Sequence, residues 1–238
     1  MPHFRRQRRA LDRNRPLCRA VDDAPKPEHA YEPGGILIGS LRKGSFSRSI
    51  AQAAIDVAPQ HMRARVVEIG DLPIYNEDLD SNPPAAWRRF REEIASVDGI
   101  LFVTPEYNRS IPGGLKNAID VGSRPQDASI WKGKTASVIS VTPYKLGAFG
   151  ANHALRQTFV FLDMPALQQP EAYIGNVKDL LDDTGKLRDE GTKAFLVRFM
   201  RAFADRIAAL SEWDPVPQKG DRTRCARPQG EMRKSIGG

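Results

Sequence analysis

Two short loops hold most of the chemistry this chain could do. The first is Gly39–Arg48 (GSLRKGSFSR), which follows an apolar run and leads into a helical pattern. It offers the hydroxyls of Ser40, Ser45 and Ser47, the guanidinium of Arg42, and the backbone N–H groups of a helix start. All are hydrogen-bond donors, and the helix dipole adds positive potential. Such a set predicts a site for a phosphate monoester. Helix capping by Ser45 or Ser47 would account for one hydroxyl. It calls for neither the other two nor the arginine. A P-loop is excluded, because Gly39 and Gly44 have its glycine spacing but Ser45 stands where lysine is required. No Gly-x-Gly occurs in the chain, so the dinucleotide fingerprint is absent as well.

The second loop is Thr104–Gly114 (TPEYNRSIPGG). Pro105 holds Thr104 extended, and Pro112 does the same for Ile111. Tyr107 supplies an aromatic surface, while Glu106, Asn108 and the backbone supply hydrogen-bonding edges. That wall suits a flat heteroaromatic ring with amide-like edges, although Asn and Pro are also ordinary turn formers. Other chemistries find little support. There is no Gly-x-Ser-x-Gly elbow and no Cys/His pair at metal spacing. His3, His29, His61 and His153 are scattered; His153 lies near the expected site, with packing or an interface as its reading. Lys116 and Asn117 read as structural, and Trp131 as a packing anchor.

Strands and helices must alternate to bring these loops together. Gly35–Ser40, Arg65–Ile69, Gly99–Thr104 and Thr135–Val141 read as strands, with Met164–Gln168 as a short fifth. Ser47–Val57, Ala85–Val97, Gly114–Gly122, Ala148–Leu162 and Glu190–Glu212 read as helices. Continuous apolar strands interleaved with helices predict an α/β fold with a five-stranded parallel sheet, order 2-1-3-4-5, and helices on both faces. In such sheets ligands sit beyond the C-terminal ends of the strands, at the switch point. The loops after Ser40, Thr104 and Val141 fall there.

The chain has 238 residues, 40% of them hydrophobic and 27% charged, which suits a folded soluble body. No apolar run approaches the ~18 residues of a membrane-spanning helix. Cys18 and Cys225 are the only cysteines, so a disulfide scaffold is excluded and a reduced cytoplasmic setting is expected. The net charge of +7 belongs to the ends: residues 1–34 and 214–238 each carry +3, and residues 35–213 only +1. A nucleic-acid-binding domain would carry its charge on the folded body, so nucleic acid is disfavoured as a partner. Residues 1–34 and 214–238 read as flexible basic tails, rich in Pro or Gly near the body, and 35–213 as the folded domain.

Four segments, GSLRKGSFSR, LPIYNEDLD, TPEYNRSIPGGLKNAIDVGSRP and LGAFGANHALRQTFVFLDMPALQQPEAYIG, together resemble the NADPH-dependent FMN reductase family, in its chromate and quinone reductase branch. The resemblance spans roughly residues 35–210 and leaves out the tails. It implies a flavodoxin-like fold holding FMN, with hydride passing from NADPH or NADH to the flavin and on to small-molecule acceptors such as quinones, chromate, azo compounds or free flavin. Carried over by motif, Ser40, Arg42, Ser45 and Ser47 would bind the FMN phosphate, and Pro105, Glu106, Tyr107 and Asn108 would line the isoalloxazine ring. The loop Thr142–Gly147, with Thr142, Tyr144 and Gly147, would meet the flavin from the other side. No acid or base is assigned, since the flavin carries the chemistry. The resemblance also implies a homodimer or homotetramer, with Leu72–Asp80 reaching toward the neighbouring subunit's site. Arg109 would face nicotinamide nucleotide phosphates, an anionic acceptor, or solvent alone. Three departures stand out: Ser47 where many relatives have Asn, Tyr144 where the fourth loop usually has Gly, and Ala154 where His is frequent. Tyr144 either stacks on a ring or narrows the acceptor pocket. If it blocks nicotinamide stacking, the chain would instead be a flavin-bound electron-transfer or partner-binding module.

Overall fold

Gly99–Thr104 and Thr135–Val141 carry no charged residue, and in the computed structural model, which describes residues 32–211, both are strands with every residue buried. They are β3 and β4. The sheet is completed by β1 (Glu32–Ile38), β2 (Met62–Val66) and β5 (Ala172–Ile174), in the order β2-β1-β3-β4-β5. Every pairing is parallel. Side chains alternate across it. Ile36, Leu101, Val103 and Ile139 face one layer, formed by α1 (Phe46–Asp56) and α6 (Glu190–Ser211). Leu37, Ile100, Phe102 and Val138 face the other, formed by α2 (Ala85–Ala95), α3 (Gly113–Gly122) and α4 (Phe149–Phe161). This is the expected flavodoxin-like doubly wound architecture. The expected basic tails, with Cys18 and Cys225, lie outside the described residues apart from residues 32–34.

Those three residues belong to β1, which starts before the expected Gly35 and pairs Glu32, Pro33 and Gly34 with Met62, Arg63 and Ala64. Proline is tolerated because its carbonyl still accepts, here from the Asp98 N–H at 2.9 Å. β2 accordingly sits at 62–66 rather than 65–69. The expected fifth strand at Met164–Gln168 is a correction. Only Ala166 pairs there, in a single bridge to Ala136, and Pro165 and Pro170 remove the donors that would extend it. The ladder resumes at Ala172–Ile174 against Ile139–Val141.

Two anchors fix α3, whose first turn follows the second loop. Trp131 is fully buried, packs near Phe90 and Phe102 at ring-centroid distances of 6.0 and 6.1 Å, and donates its indole N–H to the Ile119 carbonyl at 3.0 Å. Glycine at 122 makes room for it: a Cβ there would lie 2.5 Å from the ring. At the other end, Asn117 accepts from the Tyr75 N–H at 2.8 Å and donates to the Pro73 carbonyl at 3.1 Å. This clamps the segment Leu72–Tyr75 to the helix and leaves Ile74 protruding, 77% exposed.

Candidate active site

A cavity of about 770 Å³ opens beyond the C-terminal ends of β1, β3 and β4. Ser40, Arg42, Ser45 and Ser47 line one part of it, Pro105, Glu106, Tyr107 and Asn108 a second, and Thr142 and Tyr144 a third. Ten of the eleven residues singled out from the sequence thus meet in one cavity. Gly147 does not line it. It turns the chain at φ +60°, where an added Cβ would come 2.6 Å from that of Tyr173, and its carbonyl accepts from the Ser140 hydroxyl at 2.6 Å.

The donor end is built by the start of α1. Ser45 caps the helix by accepting from the Arg48 N–H at 3.4 Å. The N–H groups of Phe46 and Ser47 have no partner within the helix, as in any first turn. Ser40 and Ser47 are buried as residues, but their hydroxyls stay accessible at the cavity and form no hydrogen bond among the described residues. Both are therefore free to donate to a group held in the cavity. Arg42 is held nearby by donating to the Gly44 carbonyl at 2.7 Å, with its guanidinium 5.3 Å from the Phe46 ring centre. Gly44 has a φ of +66°, which lets the loop turn back. Hydroxyls, backbone N–H groups and one guanidinium, with no carboxylate among them, fit a phosphate monoester.

The second wall is tighter than its prolines alone imply. Tyr107 and Ser110 exchange backbone hydrogen bonds of 2.9 and 3.0 Å around Asn108 and Arg109, whose φ values are +51° and +66°. This is a two-residue hairpin turn of the type that needs positive φ at both central residues. Glu106 then ties the wall to α4. Ala148 begins that helix in a left-handed conformation and offers no side-chain cap. The Glu106 carboxylate serves instead, accepting from the Ala151 N–H at 3.1 Å. Gly150 permits the approach, since a Cβ there would meet the Arg109 carbonyl at 2.8 Å and the Glu106 carboxylate at 2.9 Å. Replacing Gly150 by alanine should therefore displace the wall. Overpacking of this kind costs ~1–3 kcal/mol, and a tenfold or greater rise in the FMN dissociation constant is expected in a fluorescence-quenching titration.

Around the mouth lie Tyr144, 75% exposed, and Leu146. Phe46, Leu146, Ala148 and Lys178 also line the cavity and were not singled out from the sequence. Lys178 comes from α5 (Val177–Leu180), a single turn entered through a left-handed Asn176 whose side chain makes no capping hydrogen bond. His153 stands behind the site, 4.1 Å from Phe149 between ring centres and 3.0 Å from the Tyr173 hydroxyl. Burial, then the hydrogen bond to Glu171, pushes the Tyr173 phenol above its ordinary pKa. A separate cavity of about 590 Å³ lies on the far side of α1. Two of its cations are already paired, Arg48 with Glu68 and Lys193 with Glu190. Among the described residues no His/Cys/Asp/Glu group could hold a metal, and no helix is long and apolar enough to cross a membrane.

Fold and cavity together define an α/β protein with a cluster of hydrogen-bond donors after the first strand and a turn-stiffened aromatic loop after the third, an arrangement suited to a flavin-binding oxidoreductase. The chain belongs to the NADPH-dependent FMN reductase family, whose model matches residues 35–179. It is 58% identical over 173 residues to a quinone reductase of Pseudomonas putida, covering 72% of this chain and 92% of that protein. It is 41% identical over 169 residues to a 2-hydroxy-1,4-benzoquinone reductase of a Burkholderia species, covering 71% and 92%. Among solved structures, FerB, a flavoenzyme NAD(P)H:(acceptor) oxidoreductase from Paracoccus denitrificans, superposes with a TM-score of 0.71 at 36% identity, covering 75% of this chain and 98% of that one.

Proposed function

We propose that this chain is an FMN-dependent NAD(P)H oxidoreductase that reduces quinones, with chromate, azo compounds and free flavin as further acceptors. The observation that carries the reading is the pair of serine hydroxyls without protein partners, Ser40 and Ser47, that open on the same cavity as the Pro105–Asn108 wall, beside the start of α1. FMN, when bound, supplies the relay of hydride between the nicotinamide and the acceptor. The chain's own work is placement. Ser40, Arg42, Ser45, Ser47 and the first turn of α1 hold the phosphate, and Pro105–Asn108 fix the plane of the ring. Thr142 and Tyr144 bound the space in which donor and acceptor alternate. Hydride transfer needs the reacting atoms within ~3–3.5 Å and aligned, and two rigid walls favour that geometry.

The reading extends to a homodimer or homotetramer in the cytoplasm. Ile74, and Val160 and Phe161 at the end of α4, are 77%, 82% and 81% exposed, and support an interface. The basic ends are read as tails flanking a reductase domain that runs from β1, at residue 32, to about residue 213. The test is a visible spectrum of the purified, dialysed protein, followed by anaerobic NADPH. A flavin spectrum that bleaches is the expected result. One that does not would favour the electron-transfer module and point to Tyr144 as the block. A colourless protein that fails to take up added FMN would overturn the reading.

A further inference from the structure

Arg109 occupies a place where arginine is unusual. It is the second central residue of the Tyr107–Ser110 turn, at φ +66°, a conformation that costs an L residue with a Cβ and that glycine ordinarily takes in such turns. Strain retained at the wall of a cavity is a pointer to function. The side chain is 80% exposed and lines the cavity, so no core packing explains it. The nearest acid is Glu106, 4.0 Å away, and the other oxygen of that carboxylate already caps α4. Among the described residues Glu106 is the only carboxylate in the lining. Lys178 adds a second cation, which forms no hydrogen bond or ion pair among the described residues. Arg42 and the start of α1 are matched by a phosphate. Arg109 and Lys178 are then left over at the space shared by donor and acceptor.

We propose that the acceptor half of this cavity selects quinones that carry a negative charge, ionised hydroxyquinones first, and that Arg109 is the specificity-determining residue. The proposal rests on the flavin reading of the site. A hydroxyquinone anion is planar, so it fits between the walls, and it presents charge shared between oxygens that a guanidinium fork can engage in pairs. A neutral quinone of the same outline offers only weakly accepting carbonyls. In the net reaction the nicotinamide gives up two electrons and one proton as hydride. The ionised hydroxyquinone takes them with one further proton from solvent and leaves as the monoanion of the trihydroxyarene.

The test compares 2-hydroxy-1,4-naphthoquinone, ionised near neutrality, with neutral 2-methyl-1,4-naphthoquinone, in the wild-type holoenzyme and in Arg109→Gln. Taking each variant-to-wild-type ratio removes the difference in driving force between the two quinones. Loss of a charge-assisted contact should lower kcat/KM for the ionised quinone by about 10- to 100-fold, and for the neutral one by less than threefold. A second readout needs no turnover. Calorimetric binding of the ionised quinone to the oxidised holoenzyme should weaken by the same factor in Arg109→Gln, and much less in Arg109→Lys. Equal losses for both quinones would overturn the proposal. So would a loss confined to NADPH against NADH, which would assign Arg109 to the nucleotide phosphate. Absence of flavin from the purified protein overturns the underlying reading too, and the spectrum recorded beforehand separates that case from the others.

Discussion

Replacing Arg42 and Ser47 together by alanine should raise the FMN dissociation constant by roughly 10²- to 10³-fold while leaving the melting temperature of the apoprotein unchanged or slightly higher. Each group would contribute a hydrogen bond to a charged phosphate, worth ~1.5–3 kcal/mol. Losing two costs at least about 3 kcal/mol, and 1.4 kcal/mol is a factor of ten. Binding should not vanish, because Ser40, Ser45 and the N–H groups of the first turn remain. The stability of the apoprotein should not fall, for a different reason. Arg42 is exposed and meets only the nearby Gly44 carbonyl and Phe46 ring, and the Ser47 hydroxyl has no protein hydrogen bond to lose, while alanine is the better helix former. Flavin fluorescence quenching gives the affinity and a thermal melt gives the stability. An unchanged dissociation constant would place the phosphate elsewhere.

Trp131→Ala should destabilise the fold by ~3–5 kcal/mol, the range for truncating a fully buried large aromatic. Against a total of ~5–15 kcal/mol this is a large fraction. The indole contributes more than volume, since its N–H gives the Ile119 carbonyl a second hydrogen bond beside that from the Ser123 N–H. Trp131→Phe keeps much of the packing and loses that one hydrogen bond, so it should cost ~0.5–1.5 kcal/mol. The close approach of Gly122 supplies a coupling test. Alanine at 122 would lie 2.5 Å from the indole, so it should be destabilising alone. In the Trp131→Ala background the same alanine meets no indole and gains the ~0.5–1 kcal/mol helical advantage over glycine. Urea unfolding of the four proteins measures this change of sign.

The fold was legible wherever the chain is apolar without interruption. GILFVT and TASVISV can only be strands covered on both faces, and the helices that cover them show their stripes. The fifth strand was not legible. Its three residues, AYI, carry less signal than the apolar MPALQ segment before it, which prolines disqualify in three dimensions. Most of the site was readable because its donors cluster in two loops. What escaped depends on pairs distant in sequence or on backbone conformation. Glu106 caps a helix that lies 45 residues on. Asn-Arg is not a pair that signals a two-residue hairpin, because an arginine at positive φ is written in the structure and not in residue type. Lys178 enters on a helix of one turn, too short to show any period.

The bond between Glu106 and the start of α4 fixes more than one loop. It joins the wall after β3 to the helix that follows the wall after β4, so the two sides of the cavity act as the jaws of a gauge locked at one setting. A slot of fixed width sorts by thickness. A slot held in this way would admit molecules one aromatic layer thick and refuse puckered carbon skeletons. Breadth toward flat oxidants and refusal of saturated rings would then share one cause, the bond of a single wall carboxylate to a helix start.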